Sequence, residues 1–180
     1  MSAKARWTGR GLLLGLALLF ALNVAWIARN WGSLRVVTTP AGTAAPDFTV
    51  QLLDGKAMHL SDARGQVLVL AFWATWCRPC KAELPGLDRL YRRFAPDGTR
   101  FLAVNIEGAE LKPQVDAFVT ATGLSMPVAI AGGAIADRYH VETIPHLVIL
   151  DRTGTVREVL DGVHAESEVA LAIEAAKQAR

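Results

Sequence analysis

The chain has 180 residues, 52% hydrophobic content, two cysteines and a formal charge of +2, which is room for one domain and an appendage. Residues 1–35 hold five basic side chains and no acidic one, whereas 36–180 hold fourteen basic against seventeen acidic, a net charge of −3. The positive excess thus belongs to the N-terminal segment. With no basic stripe interleaved with aromatics, this excludes a nucleic-acid surface.

Residues 1–10 carry Lys4, Arg6 and Arg10, and residues 11–28 that follow are uncharged, with Asn23 as the single polar side chain. As a helix this stretch is about 27 Å long, near the thickness of a hydrocarbon core. Trp7, Trp26 and Trp31 lie at or just beyond its ends, where aromatic rings favour the membrane interface. A cleaved signal peptide also starts basic and continues Leu-rich. Its cleavage site needs small residues at −3 and −1, however, and cuts after Ala25 or Ala28 place Asn23 or Trp26 at −3. The expectation is an uncleaved single-pass anchor over 11–28, a cytoplasmic N-terminus over 1–10 and the remainder outside, since basic residues favour the cytoplasmic flank.

Residues 29–45 read as a linker, with Thr38-Thr39-Pro40-Ala41-Gly42-Thr43 small, polar and broken by Pro and Gly. The folded domain is expected over 46–180. Phe48–Leu52 alternates, Asp54-Gly55 marks a turn and Met58–Leu60 returns as a partner strand. Val67–Trp73 is a continuous apolar run, as in a strand buried on both faces. Arg78–Phe94 repeats Leu84, Leu87, Leu90, Tyr91 and Phe94 at helical spacing, with a bend expected at Pro85 and an end at Ala95-Pro96-Asp97-Gly98. Phe101–Ile106 is the next strand, Pro113 opens a helix to about Ala121, and Pro127–Ile130 is a short strand. Ala134–Tyr139 has room for one or two helical turns. Leu147–Leu150 and Thr155–Leu160 form a hairpin around Asp151-Arg152-Thr153-Gly154, and Glu166–Gln178 closes the domain as an amphipathic helix. This order predicts an α/β fold with a central mixed sheet flanked by helices.

The chemistry concentrates in Trp76-Cys77-Arg78-Pro79-Cys80, which holds both cysteines. A strand that delivers Cys-x-x-Cys into a helix puts the first sulfur at the helix N-terminus, where unpaired N–H groups and the macrodipole favour a thiolate. A second thiol one turn away can then release whatever the first has captured. Structural zinc needs about four ligands, and His59, His140, His146 and His164 are scattered. Attachment of c-type haem needs His directly after the second Cys, and position 81 is Lys. A purely structural disulfide over so short a loop constrains little of the unfolded chain. Dithiol–disulfide exchange is the reading that remains.

Phe72-Trp73-Ala74-Thr75-Trp76-Cys77-Arg78-Pro79-Cys80-Lys81-Ala82-Glu83-Leu84-Pro85 resembles the active-site segment of thioredoxin-fold proteins, and specifically of the membrane-anchored TlpA/ResA-like thiol-disulfide oxidoreductases. Ala45-Pro46-Asp47-Phe48, the hairpin at Asp54-Gly55-Lys56, the helix and strand between Ile106 and Ile130, and Ile144-Pro145 are similar to the same branch. The resemblance covers about residues 45–180. It implies a thioredoxin-like fold with an N-terminal β-hairpin and a central αβ insertion. Cys77 is then the exposed attacking sulfur and Cys80 the more buried resolving one. Pro145 is the cis-proline facing the pair, with Ile144 pairing to the substrate backbone and Trp76 a surface platform beside the sulfur. The position of thioredoxin's buried Asp is Ala71 here, which cannot carry a proton. Glu83, three residues beyond Cys80, matches a carboxylate of the ResA-like branch and is expected to exchange protons with Cys80.

Arg78 and Pro79 are expected to tune the pair, and Pro79, where strongly oxidising relatives carry His, points to a reductant. His146 either lies near the sulfurs and lowers the Cys77 pKa or, the plainer expectation, is a partly exposed strand-end residue. His59, His140 and His164 are expected to be surface residues. No cofactor is expected beyond the Cys77–Cys80 pair. The resemblance implies disulfide-containing exported clients, such as apocytochrome c or the copper sites of oxidases, and a membrane electron donor of the CcdA/DsbD type. The rival is a Cu(I) carrier using Cys77 and Cys80, with or without His146. A thiol peroxidase would want Thr at position 74, which is Ala.

Overall fold

The computed structural model describes residues 9–30 and 40–179, with side chains described for 14–26 and 40–179. The expectations placed on 1–8 and 31–39, including Trp7, Trp31 and most of the linker, lie outside the described residues. The chain divides into two units between Val36 and Val37.

The first unit contains helix α1, Gly9–Asn30. Leu14, Leu16, Leu18, Leu19, Phe20, Leu22, Val24 and Trp26 on it are all exposed. The one polar side chain in the stretch does not stay open, because Asn23 donates to the Leu19 carbonyl at 3.1 Å. Among the described residues no helix is long and apolar enough to cross a membrane.

The second unit is built on one mixed seven-stranded sheet. In chain order its elements are β1 (Thr49–Leu52), β2 (Ala57–His59), β3 (Leu68–Trp73), α2 (Arg78–Phe94), β4 (Arg100–Asn105), α3 (Lys112–Thr122), β5 (Val128–Ile130), α4 (Gly133–Arg138), β6 (His146–Leu150), β7 (Val156–Asp161) and α5 (Glu166–Gln178). The strand order is β2-β1-β5-β4-β3-β6-β7. β3 runs parallel to β4 and antiparallel to β6. All six of its side chains are buried, as a strand covered on both faces requires.

Alternation along β3 sorts the core into two layers. Val69, Ala71 and Trp73 pack with Leu84, Leu87, Leu90 and Phe94 of α2, Val115 of α3, and Val169 and Ile173 of α5. Leu68, Leu70 and Phe72 face the other side, with Phe48, Leu60, Ile135 and Tyr139. α2 is continuous through Pro85, and Gly98 ends the turn after it at φ 84°, a backbone angle that suits glycine. The β6–β7 turn is held by the buried Asp151 carboxylate, which accepts from the Thr153 amide at 2.7 Å and the Thr155 amide at 3.0 Å and pairs with Arg157 at 2.6 Å.

Two boundaries differ from the sequence expectation. Gly42 donates to the Val156 carbonyl at 2.7 Å, Val156 donates to that of Thr43 at 2.8 Å, and Ala45 donates to Gly154 at 2.9 Å. Residues 42–45 therefore belong to the fold and not to a free linker, because they satisfy backbone groups at the start of β7 that would otherwise lie open. At the first hairpin, β2 stops at His59, and Leu60–Ala63 forms a single 3₁₀ turn capped by Asp62, which accepts from the His59 amide at 2.8 Å.

Candidate active site

The site lies where β3 hands over to α2. Ala74–Cys77 is a turn closed by the Cys77 amide and the Ala74 carbonyl at 3.1 Å. Cys77 is the N-cap of α2 in an extended conformation, and its sulfur accepts from the Cys80 amide at 3.2 Å. Cys77 and Cys80 are joined as a disulfide with Cα atoms 5.3 Å apart. The sulfur of Cys77 thus occupies the place of an N-capping oxygen, where a negative charge is stabilised by an orphan N–H and by the helix dipole.

Ile144 and Pro145 precede β6 and close over this pair. Their peptide bond is cis, and the Ile144 carbonyl oxygen lies 3.8 Å from the Cys77 sulfur. Trp76, Arg78 and Pro79 are exposed around it, Trp76 at 68%. One expectation needs correction: Cys77 is 3% exposed and Cys80 1%, so the first sulfur is not open to solvent in the oxidised pair. It is folded onto its own helix end, with the Ile144 carbonyl on its other side.

Glu83 is buried at 8% exposure, one turn beyond Cys80. Its Oε1 accepts from the His164 amide at 3.0 Å. Burial pushes its carboxyl above the usual range, and the His164 amide and charge only partly oppose this. Glu83 also lines a groove of about 260 Å³ between α2 and the start of α5, beside Arg89, His164 and Glu166. His164 is not the bare surface residue expected. Burial pulls its imidazole down, but the Glu168 carboxylate at 3.0 Å and the Asp161 carbonyl at 3.0 Å hold it above its ordinary value.

His146 also departs from expectation. It is fully buried, and its Nδ1 meets Asp161 Oδ1 at 2.6 Å. Register explains this: His146 pairs with Phe72, so its ring lies on the Phe72–Tyr139 side of the sheet, 5.8 Å from the Phe72 ring centroid. The cysteines pack in the opposite layer. His146 therefore cannot complete a three-ligand copper site with them, nor act on Cys77 directly. Among the described residues no group of three or more His, Cys, Asp or Glu side chains could hold a metal ion. His59 and His140 are exposed, His59 bonding Thr49 at 2.8 Å.

Sequence reasoning missed Glu107. Trp73 pairs with Asn105, so the residues just past β3 and β4 lie side by side. Glu107 accepts from the Thr75 amide at 2.5 Å, the Thr75 hydroxyl at 2.8 Å and Asn105 Nδ2 at 3.0 Å. Burial raises its pKa, but these bonds and Lys81 outweigh burial and hold the carboxyl below the usual range. It pins the turn two residues ahead of Cys77. The available signal was its place at the carboxyl end of a strand beside β3, the edge where open α/β sheets collect functional groups.

A Cys-x-x-Cys pair capping the first helix after a central strand, opposite a cis-proline, defines a thioredoxin-fold dithiol–disulfide protein. Residues 41–159 match the AhpC/TSA family. The chain is 32% identical to the thiol-disulfide oxidoreductase ResA of Geobacillus thermodenitrificans over 178 residues, covering 98% of this chain and 99% of that one. It is 34% identical to the thioredoxin-like protein YneN of Bacillus subtilis, covering 80% and 85%. Its fold superposes on a putative thiol:disulfide interchange protein DsbE from Chlorobium tepidum with TM-score 0.70 at 28% identity, over 76% of this chain and 97% of that one. The chain belongs to the AhpC/TSA family, among the ResA-like thiol-disulfide oxidoreductases, and is an enzyme of thiol–disulfide exchange that acts on disulfide-containing substrates.

Proposed function

We propose that this enzyme is held at the outer face of a cytoplasmic membrane by α1 and reduces disulfides in exported proteins, the Cys77–Cys80 pair being its sole redox group. The observation that carries the exchange chemistry is the Cys80 amide aimed at the Cys77 sulfur. In the reduced enzyme that geometry favours a Cys77 thiolate. The thiolate attacks one sulfur of a client disulfide, a Cys77–client bond forms, and the client's other sulfur leaves as a thiolate. Glu83 takes the proton of Cys80, whose thiolate then attacks the Cys77 sulfur. The second client sulfur is released, and the Cys77–Cys80 bond closes with two electrons passed to the client. Ile144 offers its backbone to the client chain, Pro145 shapes that segment, and Trp76 gives an apolar platform beside it, while Arg78 and Pro79 tune the pair. Val163, 60% exposed, extends this surface, since its neighbour Gly162 donates to the Pro145 carbonyl at 2.8 Å.

The oxidised pair must be recharged, which calls for a membrane dithiol donor of the CcdA/DsbD type. Clients on a cytochrome c or oxidase copper-site assembly route fit such a placement. The anchor reading rests on the exposed apolar face of α1 and on Asn23 satisfying itself within the helix, as a polar group in hydrocarbon must. Two measurements test the reading. A glutathione redox titration should give a potential more negative than about −200 mV; one near −120 mV, as in strong oxidants, overturns the reducing direction. Full-length enzyme should stay in the membrane pellet after alkaline carbonate washing, and its release would overturn the anchor. A copper-competition titration showing tight Cu(I) binding, with no reversible disulfide, would favour a copper carrier instead.

A further inference from the structure

Two side chains among the described residues keep a buried polar atom without a partner, Trp73 Nε1 and His146 Nε2. His146 directly follows Pro145, so what fixes its ring bears on the substrate-pairing segment. A carboxylate can only accept, so His146 Nδ1 carries the hydrogen towards Asp161 at 2.6 Å, and Nε2 is left facing the apolar layer of Phe72. That one bond is the ring's sole hydrogen bond.

Asp161 ends β7 opposite His146 in the ladder. Its carboxylate holds His146, and its carbonyl accepts from His164 Nε2 at 3.0 Å. The His164 amide in turn donates to Glu83, while Gly162 donates to the Pro145 carbonyl at 2.8 Å. Hydrogen bonds alternating with covalent links through His164 and Asp161 therefore lead from Glu83, one turn past Cys80, to His146, which is bonded to Pro145 along the chain. From there Ile144 reaches the Cys77 sulfur.

We propose that Asp161 is a positioning residue of the exchange reaction, a strut whose carboxylate, through His146, locks the Ile144–Pro145 segment in place for backbone pairing with a client. The proposal rests on the reading that Ile144 pairs with client backbone. Asp161 touches neither sulfur; its carboxylate acts through His146. Its side chain is 46% exposed, so removing the carboxylate opens no cavity at Asp161 itself. What it leaves behind is a fully buried imidazole with neither nitrogen bonded, which loosens the segment attached to it.

The test compares two oxidants of the reduced full-length enzyme: a disulfide-bonded peptide, which offers a backbone to Ile144, and a nitrobenzoate disulfide, which offers none. Asp161→Ala is expected to lower the second-order rate with the peptide about tenfold and to leave that with the nitrobenzoate within about twofold. Asp161→Asn, whose amide oxygen still accepts from His146, restores most of the peptide rate. Equal losses with both oxidants indicate a merely structural role and overturn the proposal, as does an unchanged peptide rate. If the unsubstituted enzyme reduces the peptide no faster than a small disulfide without a peptide backbone whose leaving thiols have the same pKa, the Ile144 pairing fails, and the strut with it.

Discussion

The Cys80 amide lies 3.2 Å from the Cys77 sulfur, so the group that stabilises the attacking sulfur is backbone and not the side chain of the second cysteine. Cys80→Ser keeps that N–H. The variant should therefore retain a reactive Cys77 at mildly acidic pH while losing the ability to release a captured client. Mass spectrometry of the variant should find a client joined to Cys77. A Cys80→Ser enzyme whose Cys77 reacts no faster than free cysteine would show that the amide is not the source of activation.

Glu83 is buried with its carboxyl pushed up, and this has two consequences. Replacing it by Gln removes the proton acceptor for Cys80, and single-turnover kinetics should show the release step slowed about ten- to a hundredfold with capture unchanged. For stability the sign is equally definite. A carboxyl whose folded pKa is raised binds its proton more tightly in the folded state. Its stabilising contribution is present below the unfolded value near 4.5 and is lost as pH rises through the folded value. Melting temperatures of Glu83→Gln should therefore fall less than those of the parent between pH 4 and pH 8.

Glu107 works in the opposite direction, since its hydrogen bonds to Thr75 and Asn105 favour the charged form. Stability from this group is present above pH 4.5 and lost as pH falls below it. Glu107→Ala should cost about 1–3 kcal/mol at pH 7 by leaving the Thr75 amide unpaired. It should also slow capture several-fold, because the turn feeding Cys77 is released. Chemical denaturation and stopped-flow capture kinetics measure both; a stability loss with capture intact would mean the clamp does not position Cys77.

Most of the fold was legible because its elements announce themselves locally. Arg78–Phe94 and Glu166–Gln178 follow from 3.6-residue periodicity and match α2 and α5 end to end. The apolar run Val67–Trp73 follows from burial on both faces, and the β6–β7 hairpin from its Asp-x-x-Gly turn. What stayed hidden depends on register and long-range pairing. His146 stands at the start of β6 as expected, but nothing local shows that it pairs with Phe72 and is buried instead of partly exposed. The Glu83–His164 contact joins residues 81 apart in sequence, and Thr75–Glu107 joins residues 32 apart. The domain starts earlier than its sequence pattern suggests because Thr43 and Ala44 carry no pattern of their own; they are held by the chain at the start of β7.

Asp151 offers a check on the fold away from the sulfurs. Burial raises its pKa, yet the Thr153 and Thr155 hydrogen bonds and Arg157 outweigh burial and hold the carboxyl at about 2, against an ordinary aspartate value of 3.8. That difference corresponds to about 2 kcal/mol at neutral pH, present above pH 3.8 and lost as pH falls towards 2. Asp151→Asn should therefore be about 2 kcal/mol less stable than the parent at pH 7 in urea unfolding. The gap should narrow steadily in acid.

The most direct measurement is the pH dependence of alkylation of Cys77 in the reduced enzyme, followed by the mass of the peptide that contains it. The account predicts a rate that is half-maximal below about pH 7.5, the range of thiolates held at helix N-termini. A midpoint near 8.5, the value of an unperturbed cysteine, would contradict it.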